Sequence, residues 1–338
     1  MHESVHAESL WLTMDDGAEV YVRVWEPAAR AAADSSDDAP APPAAAGGPR
    51  AVLQLAHGMT EHSGRYDDFA RFLAGRGFAV VGNDHRGHGH TGERADSMGY
   101  LADQDGFERL VDDLRAVHEW ACRRWPGAPR FLMGHSMGSF LVRRYIQRYG
   151  DTVAGVIIMG TAGNPGLPGK IGRRLARLEM RRRGPRHPSM LLTSLVFGGY
   201  NKKIRSPKTA FDWLSRDAEA VKAYVADPWC GFVPSAGFYF DLLTGLLLIH
   251  DEREIARIPK DLPMLFLSGD ADPVTGYGKG VERVIAQYER HGLRRMTSIL
   301  YKDARHELLN ELNKEEVYGD ILKWLENTQA GILRNLSK

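Results

Sequence analysis

A serine between two glycines is the first group of residues with a recognisable chemistry. In RFLMGHSMGSFLVRRYI, an apolar run typical of a strand leads into Gly134-His135-Ser136-Met137-Gly138, and a run with helical spacing follows. G-x-S-x-G at a strand-to-helix turn holds the serine in a strained conformation with its hydroxyl exposed above the sheet. Glycines are needed on both sides because side chains there would collide with neighbouring backbone. We predict that Ser136 is a nucleophile, rather than a residue that merely turns the chain.

A serine hydroxyl needs a base within hydrogen-bond reach, and that base needs an acceptor that fixes its tautomer. The strand-like run PMLFLSG delivers Asp270 and Asp272 into a loop. We choose Asp272 because GDADPV resembles the G-x-x-D-x-V pattern that holds the acid in many α/β-hydrolases. Asp270 is the alternative acid; if it is not the acid, its carboxylate is expected to cap the loop. Only His291 and His306 follow. His291 lies in ERHG at a predicted helix end and is expected to be solvated, so the predicted base is His306, which follows TSILYKDAR.

Acyl transfer also requires backbone N–H groups that stabilise the developing oxyanion. One donor is expected to be the N–H of Met137, directly after the nucleophile. The second is expected from the loop after AVLQLAHG, which begins His57-Gly58-Met59, and Met59 is the predicted donor. The alternative for both methionines is ordinary packing.

Short apolar runs alternate with stretches of helical period along most of the chain, which predicts a mostly parallel sheet with helices on both faces. In such α/β folds, ligands bind at the carboxyl ends of the strands, where the candidate residues lie. The alternation fails between residues 163 and 258, so we predict a helical cap inserted between core segments 1–162 and 259–338. Residues 28–49, rich in Ala, Pro, Asp and Gly, are expected to form a flexible loop.

HGMTEHSGRY, NDHRGHGHT, GHSMGS and GDADPV together resemble the monoacylglycerol lipase and lysophospholipase-like branch of the α/β-hydrolases, of the serine aminopeptidase S33 type. FDWLSRD and YVADPWCGF in the cap strengthen the resemblance. It implies an eight-stranded sheet, places Glu61 and Arg65 near the glycerol end of the site, and gives residues 84–89 a supporting role behind the oxyanion hole. Animal monoacylglycerol lipases carry a cysteine shortly after the acid, whereas this chain has Pro273-Val274-Thr275, so the resemblance fixes the chemistry better than the substrate.

The predicted substrate contacts lie in the loop after the first buried strand, at the nucleophile and in the cap. They are His57, Gly58, Glu61, Arg65, His135, Leu192 and Phe197. His85, His88 and His90 have a spacing that could suit a metal, but the glycine-rich loop that carries them is already explained, and we predict no metal and no cofactor.

One cap segment, KIGRRLARLEMRRR at residues 170–183, is basic and amphipathic. Its apolar face would carry Ile171, Leu175 and Leu178, and its basic face Arg173, Arg174, Arg177 and Arg181. Such a helix can lie on anionic lipid. The alternative is a cap helix whose apolar side covers the site. Leu191, Leu192, Leu195, Val196 and Phe197, with FYFDLLTGLLLI, are expected to line an acyl channel or to form the core of the cap.

The bulk composition narrows the class of partner. Lys and Arg number 44 against 43 Asp and Glu, and the net charge of +1 supplies no field for nucleic acid. Cys122 and Cys230 lie far apart in sequence and predict no disulfide framework. The N-terminal segment lacks the pattern of a signal peptide, and no run is long enough for a membrane span, so we expect a cytoplasmic protein.

The sequence thus predicts a serine carboxylic-ester hydrolase in which Ser136 attacks the carbonyl, His306 moves the proton and Asp272 orients His306. Acyl transfer or amide and peptide hydrolysis on the same triad is the first alternative. A noncatalytic protein that binds a hydrophobic ligand is the second. Acyl chain length, head group and oligomeric state are left open.

Overall fold

The computed structural model describes residues 5–28 and 48–336 of the chain. The segment predicted to be a flexible loop, residues 28–49, lies outside the described residues except at its two ends.

Eight strands form one sheet in the order β1-β2-β4-β3-β5-β6-β7-β8. The strands are β1 (Val5–Thr13), β2 (Glu19–Pro27), β3 (Ala51–Ala56), β4 (Phe78–Asn83), β5 (Arg130–His135), β6 (Gly155–Met159), β7 (Met264–Gly269) and β8 (Met296–Tyr301). The six neighbouring strands β4-β3-β5-β6-β7-β8 are parallel to one another. Every position of β3, β4, β6 and β7 is buried, as expected for parallel strands covered on both faces. The predicted fold class, an eight-stranded α/β-hydrolase sheet, is confirmed.

The first strand was not predicted by the sequence pattern. β1 pairs antiparallel with β2, which in turn pairs antiparallel with β4. None of the nine positions in β1 is fully buried, because it is the edge strand of the sheet. Without a buried face its sequence carries no clear alternation.

Helices cover both faces of the sheet. The helices of the core are α1 (Asp67–Ala74), α2 (Gly89–Arg94), α3 (Gly106–Arg124), α4 (Met137–Tyr149), α10 (Lys279–Arg290) and α11 (Lys314–Leu336). Buried side chains of α3, α4 and α10 share one apolar cluster against the sheet, and those of α1 and α11 share the other. The sheet is therefore the middle of three layers, and its strand ends are free to carry functional loops.

The chain between β6 and β7 folds into helices that lie outside this three-layer pattern. They are α5 (Gly166–Arg183), α6 (Met190–Phe197), α7 (Ala218–Ala226), α8 (Ala236–Leu248) and α9 (Glu252–Ala256). Ser189, Asp217 and Ser235 accept hydrogen bonds from backbone N–H groups at the starts of α6, α7 and α8, so local capping defines where these helices begin. We refer to residues 163–258 as the cap; these exact boundaries stay a prediction.

Among the described residues, no helix combines the length and the apolar character needed to cross a membrane.

Candidate active site

Ser136 occupies a sharp turn between β5 and α4. Its φ of 53° and ψ of −120° are unusual for a residue with a side chain and identify a strained backbone. A Cβ at Gly134 would lie 2.2 Å from the carbonyl oxygen of Gly138, and a Cβ at Gly138 would lie 2.0 Å from that of Ala56. The tight packing explains the G-x-S-x-G pattern, because only glycine allows strand, turn and helix to approach this closely.

Asp272 and His306 follow β7 and β8 and meet beside this turn. The His306 Nδ1–H donates to Asp272 Oδ2 at 2.8 Å, and the N–H of Val274 donates to Asp272 Oδ1 at 2.8 Å. A carboxylate only accepts hydrogen bonds, so Nδ1 of His306 carries a proton, and in the neutral imidazole Nε2 then presents a lone pair. Both side chains are almost completely buried, with exposures of 0% and 2%.

Nε2 of His306 has no hydrogen-bond partner among the described residues, although it is buried. Ser136 and His306 line the same cavity, but no hydrogen bond joins the Ser136 hydroxyl to the imidazole in the described part of the chain. In enzymes without substrate this contact is commonly long or poorly aligned. The orphan nitrogen is thus available for a proton from the hydroxyl.

Asp270, the alternative acid, is occupied elsewhere. Its Oδ1 accepts the backbone N–H of Asp303 at 2.6 Å, which ties the loop after β7 to the loop after β8. His291, the alternative base, ends α10 and pairs with Glu252. Of the two candidate acids and two candidate bases, the structure brings Asp272 and His306 together beside Ser136.

The two residues whose N–H groups are predicted to form an oxyanion hole lie at this cavity. Met59 and Met137 both line the cavity that contains Ser136. Neither N–H donates a hydrogen bond to another group in the described residues. Met137 is the first residue of α4, where the N–H groups of a helix have no partner within the helix and favour negative charge.

The loop that carries Met59 is fixed from both sides of the Gly58 residue. The N–H of Gly58 donates to Glu61 Oε1 at 2.5 Å, and the carbonyl of Gly58 accepts from His57 Nδ1 at 2.7 Å. Nε2 of His57 in turn accepts the backbone N–H of His85 at 2.9 Å. A Cβ at Gly58 would lie 3.2 Å from Cβ of Ser136, so the loop passes directly beside the nucleophile.

Burial lowers the pKa of His57, although the negative charges of Glu61 and Asp84 oppose the shift. A neutral His57 agrees with its contacts, since one ring nitrogen donates and the other accepts. Asp84 holds the same loop through its Oδ1, which accepts from the backbone and the hydroxyl of Ser63 at 2.9 and 2.5 Å. The loop at residues 84–89 thus packs behind the oxyanion loop.

Glu61 is the centre of a buried polar network. Its Oε1 also accepts from the Tyr66 hydroxyl at 2.9 Å and lies 3.2 Å from Nδ1 of His135, and its Oε2 accepts from Arg65 at 2.9 Å. Arg65 also forms a two-point ion pair with Glu307. Burial raises the pKa of Glu61, but its hydrogen bond with His135 and the charges of Arg65 and His135 outweigh that and hold it well below the usual value.

The cavity above Ser136 has a volume of about 140 Å³ and two kinds of wall. Thr60, Glu61 and Glu307 of the core line it together, joined through Tyr224 and Arg65, and we call them its polar end. Apolar side chains form most of the rest, among them Phe140 of α4, Val196 and Phe197 of α6, Tyr200, Trp213, Leu214, and Tyr239, Leu242, Leu243 and Leu246 of α8. The cap therefore forms the roof of the cavity.

The predicted substrate contacts divide into two groups. Gly58, Glu61, His135 and Phe197 line the cavity, whereas His57, Arg65 and Leu192 do not. His57 stands behind the oxyanion loop, and the guanidinium of Arg65 is held by two carboxylates. Leu192 is 2% exposed and packs in the core of the cap against Ala176 and Tyr239.

Among the cavity residues that sequence reasoning missed, two contact residues already assigned to the site. Trp213 packs 5.2 Å from the ring of His306, and its backbone carbonyl accepts the His306 N–H at 3.5 Å. The motif FDWLSRD contains it, but nothing in that motif indicates a contact with a residue over 90 positions away. Glu307 follows His306 directly, and the need of Arg65 for a counter-charge was the only signal that could have found it.

A second, larger cleft of about 350 Å³ lies between the start of α3 and helix α8. It contains no residue of the proposed triad, and Asp103, Asp105, Glu108 and Asp241 make it acidic. We assign the site to the smaller cavity because Ser136 and His306 line it. In the described residues, His85, His88 and His90 do not bring ligand atoms close enough to share an ion.

The sheet, the strained serine turn, and the acid and histidine after successive strands define an α/β-hydrolase of the serine type. Residues 47–313 match the family model described as "Serine aminopeptidase, S33". The chain is 30% identical over 282 residues to the monoacylglycerol lipase of Mycolicibacterium smegmatis, covering 82% of this chain and 88% of that protein. It is 27% identical over 322 residues to human monoglyceride lipase, covering 93% and 89%.

Solved structures agree on the fold. The structure of a highly thermostable carboxyl esterase from Bacillus coagulans, in complex with glycerol, superposes with a TM-score of 0.84 at 24% identity, covering 96% of this chain and 99% of that one. The chain belongs to the serine aminopeptidase S33 family of α/β-hydrolases, in its monoacylglycerol lipase-like branch, and is a serine ester hydrolase.

Proposed function

We propose that the protein hydrolyses monoacyl lipid esters such as monoacylglycerols or lysophospholipids, through an acyl-enzyme on Ser136. The observation that carries this proposal is the cavity itself, where an apolar roof and a polar end meet at the nucleophile. An acyl chain fits against the apolar side chains, and the small polar alcohol fits at the end formed by Thr60, Glu61 and Glu307.

In the proposed mechanism, His306 Nε2 removes the proton of the Ser136 hydroxyl while its oxygen attacks the ester carbonyl. The N–H groups of Met59 and Met137 stabilise the oxyanion, and Asp272 holds the imidazole in the required tautomer. His306 then gives the proton to the leaving alcohol as the carbonyl–oxygen bond breaks. A water activated by the same imidazole releases the carboxylic acid and restores Ser136.

Peptide hydrolysis is the alternative that the family description suggests, and the charge pattern of the cavity argues against it. A carboxylate whose oxygens are free to accept is the group best suited to bind a free N-terminal ammonium. The two carboxylates that line this cavity in the described residues, Glu61 and Glu307, are both engaged by Arg65. Because each oxygen of these carboxylates already accepts a hydrogen bond, a neutral polyol matches this end of the cavity better than a cation does.

A panel of purified substrates tests the proposal. Monoacylglycerols and lysophosphatidylcholines should be hydrolysed, and aminoacyl nitroanilides should not. Ser136→Ala should lower kcat for the best ester by at least about 10³-fold while leaving the melting temperature within a few degrees. Faster turnover of the nitroanilides than of every ester would contradict the proposal and favour the aminopeptidase alternative.

We further propose that the cap contacts anionic lipid. Ile171, Leu175 and Leu178 of α5 do not face the molecule, since they are 47%, 37% and 43% exposed. The buried side of α5 is formed by small residues, Gly169 and Ala176, and this side packs on α8. None of the three lines the cavity above Ser136, which favours lipid contact over the alternative in which they cover the site.

Helix α6 also exposes apolar side chains. Met190, Leu191 and Leu195 are 64%, 57% and 61% exposed, whereas Val196 and Phe197 of the same helix line the cavity. Exposed arginines surround the leucines of α5, at positions 174, 177 and 181–183. Apolar side chains among cations match a bilayer with anionic head groups, which would then lie next to the roof of the cavity.

Vesicle sedimentation tests this contact. The Ser136→Ala protein should sediment with vesicles of phosphatidylglycerol and phosphatidylcholine and much less with pure phosphatidylcholine. Leu175→Gln combined with Leu178→Gln should weaken vesicle binding several-fold, because two apolar side chains no longer insert into the bilayer. Leu312→Gln, an equally apolar change at a 66% exposed site on the core, is the matched control. Equal losses in both variants, or no sedimentation, would contradict a cap-mediated contact.

A further inference from the structure

His135 stands directly before the nucleophile and has an acceptor at each ring nitrogen. Its Nδ1 lies 3.2 Å from Glu61 Oε1, and its Nε2 lies 3.1 Å from the backbone carbonyl oxygen of His306. Neither a carboxylate nor a carbonyl oxygen can donate a hydrogen bond. Each of the two contacts therefore requires a proton on its own ring nitrogen. An imidazole with both nitrogens protonated is a cation.

His57, in the adjacent loop, shows the opposite arrangement and serves as an internal reference. Its Nδ1 donates to the carbonyl of Gly58, whereas its Nε2 accepts the N–H of His85. One donor and one acceptor describe a neutral imidazole. The two histidines are both buried, so burial alone does not determine their charge.

The charges around His135 favour the cation. The groups that surround it are Glu61, Arg65 and Tyr66 on the loop after β3, and His306 and Glu307 after β8. Burial lowers the pKa of His135, but the hydrogen bond with Glu61 and the charges of Glu61 and Glu307 raise it above the ordinary value. If His135 is charged, the net charge of the four side chains His135, Arg65, Glu61 and Glu307 is zero. If it is neutral, one buried negative charge has no compensating positive charge.

We propose that His135 is a permanent imidazolium that positions two parts of the catalytic machinery at once. Through Glu61 it fixes the Gly58 N–H and thus the oxyanion loop, and through the His306 carbonyl it fixes the residue that carries the base. Its ring lies 4.6 Å from the ring of His306, so the charge stands directly beside the catalytic imidazole. The protonation state is independent of the proposed substrate, and only its kinetic consequence rests on the proposed function.

Nitrogen NMR of the histidine rings tests the charge directly. In Ser136→Ala protein labelled with ¹⁵N-histidine, both ring nitrogens of His135 should show shifts of protonated nitrogen from about pH 6 to about pH 8.5. His57 should show one unprotonated nitrogen over the same range, which controls for burial. The signals are assigned by their loss in His135→Asn or, if that variant does not fold, by cross-relaxation with the nearby His306 ring. An unprotonated nitrogen in His135 would overturn the proposal.

A pH–rate profile tests the consequence. His135→Asn keeps an N–H donor for Glu61 but removes the charge, so the acid limb of kcat/KM for a soluble ester should move to higher pH by about 1 unit. A role limited to packing would lower the rate at every pH and leave the limb in place, and that result would contradict the electrostatic effect. A protein with no activity on any ester would refute the proposed function, while the NMR result would still decide the charge of His135.

Discussion

The floor and the roof of the cavity above Ser136 are built in different ways. In the floor, hydrogen bonds from His57 and Glu61 fix the oxyanion loop at Gly58, and Asp272 holds His306 while it accepts the N–H of Val274. The roof consists of apolar side chains from α6 and α8, and the outward side of α6 is exposed. Polar contacts constrain angle and distance, whereas apolar contacts constrain mainly volume. We therefore expect the floor to determine which bond is broken and the roof to determine which acyl chain is accepted.

The largest expected effect comes from the acid of the floor. Asp272→Asn keeps the size of the side chain but presents an amide that favours the wrong tautomer of His306, so kcat should fall by about 10³–10⁴-fold. The matched control is Asp270→Asn, two positions away, whose carboxylate accepts just the loop N–H of Asp303 among the residues that the structure describes. It should stay within a few-fold of wild type. Similar losses in both variants would mean that the acid has been assigned incorrectly.

A smaller effect is expected from the oxyanion loop. In Gly58→Ala the new Cβ would lie 2.6 Å from Glu61 Oε1 and 3.2 Å from Cβ of Ser136, so the loop must shift away from the nucleophile. Because a displaced oxyanion donor loses much of its effect, kcat should fall by about 10–100-fold. In Gly319→Ala, where the Cβ meets nothing within 4 Å, steady-state kinetics should be unchanged. A wild-type kcat in Gly58→Ala would mean that this loop does not contribute to catalysis.

The smallest effect concerns the roof and should change selectivity instead of rate. Val196→Trp fills part of the cavity from α6, so the ratio of kcat/KM for a dodecanoate to that for a butyrate ester should fall by about 10-fold. Leu195→Trp places the same ring on the exposed side of the same helix and should leave the ratio unchanged. If Val196→Trp slowed both esters equally, the division between floor and roof would be wrong.

The sequence predicted the floor better than the roof. Ser136, Asp272 and His306 follow strands whose apolar runs are unmistakable, and the ends of parallel strands must meet at one edge of the sheet. Hydrogen-bond partners such as Glu307 for Arg65 were not predictable, since they join loops that follow different strands. Edge strand β1 was missed because it has no buried face.

Helix faces in the cap were the hardest part to predict. The pattern of α5 correctly separates Ile171, Leu175 and Leu178 from most of the arginines, but it gives no indication of which face is covered. The structure buries small residues of this helix against α8 and exposes the leucines. Leu192 shows the same difficulty, because spacing alone does not separate the core of the cap from the wall of the cavity.

The central claim is that the hydroxyl of Ser136 is the activated nucleophile, and covalent labelling tests it most directly. A fluorophosphonate probe should modify the native protein at a single residue, and mass spectrometry of the labelled peptide should identify Ser136. Labelling should disappear in Ser136→Ala and slow strongly in Asp272→Asn. A folded wild-type protein that does not react, or that carries the probe on another serine, would contradict the account.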